Sequence, residues 1–251
     1  MELSVKPASL NDILPFRESY RAEMNCQVIH DSLHTRKGWT DEFHFLIDAQ
    51  AVGYASIAVG GPWKDKPAIF EYYVSPEHRS RLFDLFDLLL RTTGVKLIDT
   101  QTNDLILTTM LHTFAETVAT EAILFHDKLT THLSPTGALF RRATPEDATQ
   151  ISASELDPDA KWIVEIDSQV AAAGDILFHY NPPYGDIYMK VAEPFRRRGL
   201  GSFLVQELKQ VCYQQNKIPA ARCNPKNIAS RKTLQKAGFV PCGNLLNGKI
   251  P

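Results

Sequence analysis

The hydrophobic and polar positions of the chain follow the same order in its two halves. In each half, an apolar strand pattern is followed by a basic turn, a helix with an apolar periodicity, and a second strand. These predicted elements are, for the first half and then the second, Ile69–Val74, Leu82–Thr92 and Lys96–Asn103, then Asp186–Val191, Leu200–Gln214 and Ile218–Asn224. A shared order of this kind indicates an internal repeat.

Two short segments support the repeat. Ile47-Asp48-Ala49-Gln50 resembles Ile166-Asp167-Ser168-Gln169, and each is predicted to open a hairpin. Four similar letters can arise by chance, but the shared order of elements favours two copies of one α/β unit. Thr144 and Pro145 predict a helix start in the second copy. The polar, turn-rich stretch between Leu129 and Leu139 is the predicted joint, which gives domains of residues 1–133 and 139–251.

The segment from Val191 to Ser202 is predicted to bind a pyrophosphate. A strand ends near Val191, a helix begins near Gly199, and three arginines and two glycines stand in and around the turn between them. The start of a helix exposes unpaired N–H groups that attract anions. Glycines allow the backbone to approach a phosphate closely, and arginines add charge-assisted hydrogen bonds.

Two common phosphate motifs are excluded here. A Walker loop needs Gly-Lys-Ser/Thr, whereas Gly201 is followed by Ser202; a dinucleotide motif needs a third glycine where the chain has Leu204. What remains, Arg-x-x-Gly-x-Gly from Arg196 to Gly201, resembles the acetyl-CoA motif of the GNAT superfamily of N-acetyltransferases. That family usually places Pro before Glu after the strand, whereas this chain has Glu193-Pro194.

A second part of the resemblance lies in the last helix. Asn227, Ser230 and the Gly238-Phe239 pair match the spacing of the late GNAT helix, although each residue alone is also typical of helix caps and ends. The resemblance, over about residues 139–250, implies that acetyl-CoA is the cosubstrate. It implies cofactor contacts from Met189, Val191, Arg196, Arg197, Arg198, Gly199, Leu200, Gly201, Ser202, Asn224, Asn227 and Ser230.

The resemblance also implies a fold and a reaction. We expect tandem GNAT-like domains of class α/β, each a mixed, mostly antiparallel sheet flanked by helices. The two strands beside the cofactor should separate, and a backbone N–H near Val191 should polarise the thioester. Many family members carry a tyrosine acid where this chain has Leu234. The catalytic candidates are Glu193, Asp186 and Tyr188; Glu165 and His179 remain further candidates for the base.

The first half is predicted to be a degenerate copy. Its turn, Val74 to Phe83, has Arg81 and Phe83 where glycines are needed, so we expect no ordinary CoA binding there. Polar residues between Phe16 and His34 either face a substrate or form a solvated helix face. His30, Asp31 and His34 lack a supporting Cys or Glu cluster, so no metal site is predicted.

Composition adds limits on location and partners. The net charge of -2 gives no field that favours nucleic acid, and the most apolar stretch, near Leu82–Leu90, is too short to span a membrane. Four unpaired cysteines and the absence of a signal-like start favour the cytoplasm. We expect an amine acceptor, either a small molecule or a peptide, and leave a homodimer open.

The sequence leaves two other functions open. Leu234 and the unassigned base also fit a non-catalytic acyl-CoA-binding regulatory protein. A duplicated scaffold could also serve an acyl- or aminoacyl-transferase that uses another donor, because a fold does not fix a function.

Overall fold

The computed structural model describes residues 2–251, which divide into two compact units. The first holds the described residues up to Ala122 together with Gly243–Pro251, and the second is Ile123–Cys242. The predicted domains, 1–133 and 139–251, therefore differ from the observed division at both ends. The physical reason is strand pairing: the last strand ends in the first unit, where Leu245–Lys249 pairs with a strand of that unit.

The first unit is a mixed sheet with helices. Its neighbouring strands are ordered β1-β2-β3-β4-β5-β12, and every pairing is antiparallel except that of β4 with β5. Its elements are β1 Leu3–Ala8, α1 Leu10–Met24, α2 Asp31–His34, β2 Thr40–Ile47, β3 Gln50–Ala58, β4 Ala68–Val74, α3 Leu82–Thr93, β5 Leu97–Gln101, α4 Leu105–Phe114 and the end of β12, Phe239–Lys249.

The second unit repeats this order of strands. Its sheet runs β7-β8-β9-β10-β11-β6, again with one parallel pairing, that of β10 with β11. Its elements are the end of β6 Thr117–Asp127, β7 Leu139–Arg142, α5 Ala148–Ala153, β8 Trp162–Ile166, β9 Gln169–Leu177, β10 Tyr184–Val191, α6 Leu200–Gln214, β11 Ile218–Cys223, α7 Ile228–Lys236 and the start of β12. The predicted fold class, two mostly antiparallel α/β copies, is confirmed.

Both predicted hairpins are present and have the same geometry. Asp48 and Ala49 join β2 to β3, and Asp167 and Ser168 join β8 to β9; all four residues have positive φ. Positive φ at both central residues is the backbone of a two-residue hairpin turn that matches the twist of its strands. Aspartate tolerates this conformation, which accounts for its place in both copies.

The long helix of each unit packs its apolar face on the sheet. In α3 the buried positions are Leu85, Phe86 and Leu89, and α6 buries Leu204, Val205 and Leu208 with the same spacing among its buried residues. This spacing is that of one face of an amphipathic helix, as the sequence pattern predicted. Between residues 2 and 251, no helix is long and apolar enough to cross a membrane.

Candidate active site

β10 and β11 separate from each other along their length. Their parallel register is limited to three pairs, from Tyr184 with Ile218 to Asp186 with Ala220. Beyond that point β10 continues to Val191 and β11 to Cys223, while each remains paired with its other neighbour. The two strands therefore form a gap that opens toward their C-terminal ends, as the family resemblance implied.

The gap exposes backbone hydrogen-bonding groups of β10. The N–H of Ala192 donates to the carbonyl of Ala171 at 2.9 Å, so Ala192 faces β9. Because successive residues of a strand turn their N–H and C=O groups to opposite sides, Met189 and Val191 face the gap. A polar chain lying in the gap can hydrogen-bond to these two residues.

The start of α6 offers N–H groups without a side-chain cap. Gly199, the N-cap residue, is left-handed with φ 80°, and no side chain accepts a hydrogen bond from the first turn. The N–H of Phe203 donates to the carbonyl of Gly199, which leaves Leu200, Gly201 and Ser202 ahead of the first regular bond. This arrangement favours an anion such as a phosphate.

A cavity of about 580 Å³ joins the C-terminal end of β10, at the edge of the gap, to the start of α6. A Cβ atom at Gly201 would lie 3.2 Å from side-chain carbons of Thr233 and Val191, so a larger side chain there would fill the cavity floor. The lining residues are Met189, Lys190, Val191, Phe195, Arg196, Arg197, Gly199, Leu200, Gly201, Ser202, Asn227, Ala229, Ser230, Lys232, Thr233 and Lys236. Most of the residues predicted to contact the cofactor are therefore brought together.

The arginines of the turn are positioned differently. Arg196 is 55% exposed; its Nε donates to the carbonyl of Val191 at 3.4 Å, and its nearest carboxylate, Glu193, is 3.9 Å away. Arg197 has φ 65° and also lines the cavity. Arg198 does not line it, and its guanidinium lies 5.5 Å from the centre of the Phe195 ring. Arg196 and Arg197 are thus the two cations of the turn that face the cavity.

The last helix supplies further groups, some of them absent from the sequence-based set. Asn227 caps α7 by accepting a hydrogen bond from the N–H of Ser230 at 3.0 Å, and both residues line the cavity. The side chain of Asn224 accepts from Lys226 instead and lies outside the lining. Lys232 and Lys236 add positive charge to the cavity. The sequence could have indicated these two lysines, because residues four apart lie on the same face of a helix.

The predicted catalytic residues lie apart. Side chains alternate along a strand, so Asp186 and Tyr188 point to the face of β10 opposite Met189 and Val191. Burial, followed by the hydrogen bond with Asp157, raises the pKa of Tyr188, so the phenol remains protonated. The Glu193 side chain is 86% exposed in the turn. Glu165 is held by Arg141, with 2.6 Å between oxygen and nitrogen.

No strong general acid stands where the family has its tyrosine. Leu234 is 4% exposed and packs in the core of the second unit. Cys223, at the end of β11, is also buried, and that burial raises the pKa of its thiol despite nearby Arg231. Neither side chain is suited to protonate a leaving thiolate.

The corresponding turn of the first unit differs in charge and in shape. Arg79 donates from Nε to the carbonyl of Val74 at 3.1 Å, just as Arg196 does to Val191. The starts of the two helices match as predicted: Arg81 is the N-cap residue of α3 as Gly199 is of α6, so Arg81 and Phe83 stand at the glycine positions. The Asp84 carboxylate lies in the first turn of α3, where an anion would bind.

The polar residues between Phe16 and His34 divide into two groups: Arg17, Asp31 and His34 join a network of ion pairs inside the first unit, whereas Glu23 and Asn25 are exposed. Arg17 contacts Asp31 at 2.8 Å, and Nδ1 of His34 lies 2.9 Å from Glu42. Across the described part of the chain, no group of three His, Cys, Asp or Glu residues is arranged to hold a metal ion.

Comparisons with known proteins agree with this geometry. Residues 127–239 match the family model described as Acetyltransferase (GNAT) family. No curated protein matches the sequence. A GNAT-family acetyltransferase from Colwellia psychrerythraea has TM-score 0.78 at 17% identity, covering 99% of this chain and 100% of its own.

Two further solved structures cover nearly the whole chain. A tandem GNAT protein from the clavulanic acid biosynthesis pathway has TM-score 0.63 at 14% identity, over 99% of this chain and 98% of its own. A GCN5-related N-acetyltransferase from Sphaerobacter thermophilus has TM-score 0.59 at 16% identity, and the match covers 99% of this chain and 96% of its own. At sequence identities this low, the comparison shows that the folds are similar and nothing more. Residues 127–239 therefore match the model of the acetyltransferase (GNAT) family, within a chain whose fold is that of solved GNAT proteins.

Proposed function

We propose that the second unit is an N-acetyltransferase that moves the acetyl group of acetyl-CoA to a primary amine. The observation that carries this proposal is the cavity of about 580 Å³ in which the uncapped start of α6 meets the gap between β10 and β11. It combines an anion site with an adjoining slot edged by backbone groups of Met189 and Val191. A ligand that has a pyrophosphate followed by an amide-containing arm fits both parts of this cavity.

Different residues of the cavity bind different parts of acetyl-CoA. The N–H groups of Leu200, Gly201 and Ser202 receive the pyrophosphate, and Arg196 and Arg197 add charge. The hydroxyl of Ser202 already donates to the carbonyl of Thr233 at 3.1 Å, so its contribution comes from the backbone. Met189 and Val191 hold the arm in the gap, and a backbone N–H of β10 that faces the gap polarises the thioester carbonyl.

The acceptor approaches from the face of β10 that carries Asp186 and Tyr188. Its nitrogen must lose a proton before it attacks, which requires a base on that face. The thiolate of CoA is a good leaving group because an ordinary thiol has a pKa of about 8.5. Direct attack within a ternary complex therefore does not require an acid at position 234.

A second candidate is a non-catalytic acyl-CoA-binding protein, and the buried Leu234 is the observation that favours it. In either case we propose that the first unit binds no CoA, because Asp84 occupies the helix start and Glu23 lies 2.5 Å from Arg79. The four free cysteines fit a reducing compartment and a cytoplasmic location.

A thiol-release assay tests the proposal. Purified protein is incubated with acetyl-CoA and a panel of primary amines that includes lysine, putrescine and a tripeptide with a free N-terminus. The matched variants are Arg196→Glu and Arg79→Glu, which reverse equivalent charges in the two units. We expect amine-dependent thiol release that Arg196→Glu abolishes and Arg79→Glu retains. Acetyl-CoA binding without turnover of any amine would favour the non-catalytic alternative.

A further inference from the structure

The gap between β10 and β11 ends at a cluster of charged side chains. Asp186, the last residue of β10 paired with β11, lies 3.4 Å from Nε of Arg222 and 3.6 Å from Nε2 of His179. The Asp186 side chain is only 10% exposed. The Arg222 guanidinium and the His179 imidazole thus lie on the same carboxylate oxygen of Asp186.

The cluster lies on the face of the sheet opposite α6. Asp186 and Tyr188 share that face, whereas Met189 and Val191 point toward α6 and contact the space at Gly201. In the first unit the equivalent face is covered by α1, a helix of 15 residues, but in the second unit α5 has only six. A molecule can therefore reach the partly exposed His179 from outside, whereas Asp186 lies buried behind it.

His179 is held with one ring nitrogen inward. Its Nε2 is buried and faces Asp186, while the side chain as a whole is 29% exposed. The exposed area therefore belongs to the rest of the side chain. The ring also packs edge-on against Tyr180, with 4.0 Å between ring centres, and the guanidinium of Arg222 lies 5.0 Å from the Tyr180 ring. The nearby Asp186 carboxylate favours a proton on Nε2, and the lone pair of the imidazole then lies on Nδ1.

We propose that His179 is the base that deprotonates the acceptor amine, and that Asp186 is the positioning residue that orients it. The inference rests on the proposed function. A strand rises about 3.3 Å per residue, so an arm that runs from the phosphate site at Val191 back to Ile187 travels about 13 Å along β10. Its far end then arrives beside Asp186. Glu193 lies beyond the C-terminal end of β10, on the side of the phosphate site, and is therefore far from the reactive end of the arm.

The reaction balances with His179 in this role. Nδ1 takes one proton from R–NH3⁺, and the lone pair of R–NH2 forms a C–N bond to the thioester carbonyl carbon. The C–S bond then breaks, and its electron pair leaves on the CoA sulfur. The second proton lost from the nitrogen passes to that thiolate, which gives the amide and CoA–SH, and His179 returns its proton to water.

Binding and resonance shifts test the placement without any acceptor. Acetyl-CoA and CoA are titrated into the intact chain by calorimetry, and the imidazole C–H resonance of His179, assigned by its loss in His179→Gln, is followed by NMR. We expect a larger shift with acetyl-CoA than with CoA. If both ligands bind and shift the His179 resonance equally, the role of His179 is overturned but the proposed function is not. If neither ligand binds, the proposed function is overturned as well.

Variant kinetics test the chemical role. With any amine that the intact protein acetylates, we expect His179→Ala to lower kcat by about 100-fold with acetyl-CoA affinity unchanged, and added imidazole to restore part of the rate. Asp186→Asn should cost about tenfold. The exposed His132→Gln is the control and should keep full activity. A His179→Ala rate equal to that of the intact protein, or a loss that imidazole never rescues, would overturn the inference.

Discussion

Arg17 and Glu71 form a two-pronged ion pair that is almost entirely removed from solvent. Nε and Nη2 of the arginine each donate to a carboxylate oxygen at 2.9 Å, and the side chains are 3% and 0% exposed. Burial alone would raise the pKa of Glu71, but Arg17 and then His34 hold it well below its usual range. The pair therefore remains charged inside the first unit.

Removing one partner of this pair should destabilise the first unit strongly. Arg17→Met leaves the Glu71 carboxylate buried without its main counter-charge, so we expect a loss of about 3–5 kcal/mol. Arg91→Met, which breaks an exposed pair with Asp87, should change stability by less than about 0.5 kcal/mol. Urea unfolding followed by the fluorescence of Trp39 and Trp63, in a Trp162→Phe background, measures both. Equal effects of the two variants would refute this reading of the buried pair.

His34 should make the first unit less stable as the pH rises. Its Nδ1 lies 2.9 Å from Glu42 and its Nε2 3.3 Å from Glu71. Burial opposes its charge, but Glu71 and then Glu42 raise its pKa above the ordinary 6.5. Because the folded state holds the proton more tightly, the added stability is complete below about pH 6.5 and disappears as the pH passes the folded pKa.

Comparison with His34→Gln checks this direction. The difference in unfolding free energy between the intact protein and the variant should shrink from pH 6 to pH 9. The exposed His132→Gln should show no such trend. A difference that stays constant or grows with pH would contradict an imidazolium at position 34.

Gly199→Ala should weaken acetyl-CoA binding beyond its effect on stability. An L-residue at φ 80° costs roughly 1–2 kcal/mol, and the new Cβ would stand in the phosphate site, 3.5 Å from Nζ of Lys236. Gly94→Ala is a matched control, because Gly94 has φ 66° with open space around it in the first unit. We expect both variants to lose similar stability and only Gly199→Ala to bind acetyl-CoA more weakly.

Lys209 should be essential to the second unit although it lies outside the cavity. Its buried ammonium contacts Asp127 at 2.6 Å and donates to the carbonyls of Ala237 at 2.8 Å and Leu129 at 3.0 Å. Lys209→Met leaves these acceptors unpaired, so we expect a loss of about 3 kcal/mol in thermal or urea unfolding. The exposed Lys226→Met serves as the control. A Lys209→Met variant as stable as this control would show that the contacts contribute nothing.

Local features of the structure could be predicted from the sequence. The turns at Asp48 and Asp167 and the bounds of α6 depend on residues within a few positions, and the structure reproduces them. The cradle from Arg196 to Ser202 is also local, because a strand end, a glycine and a helix start are consecutive in the chain.

Features that depend on distant pairing could not be predicted. Nothing near Leu245 signals that β12 ends beside β5, which is why the predicted domain bounds differ from the observed units. In the first copy the 3-10 segment Pro76–Arg81 runs directly into α3, whereas Glu193–Phe195 is separated from α6 by a turn, and the sequence pattern does not reveal this difference. The contact between His179 and Asp186 joins a loop to a strand, and no spacing in the sequence reveals it.

The most direct test of the central claim is calorimetric titration of acetyl-CoA into the intact chain and three variants. Gly201→Trp fills the cavity floor and Arg196→Glu reverses an exposed charge at the same site, whereas Asp84→Trp changes the first turn of α3 in the first unit. We expect one site per chain, lost in Gly201→Trp, weakened at least tenfold in Arg196→Glu and unchanged in Asp84→Trp. No binding by the intact chain, or two sites per chain, would contradict the account.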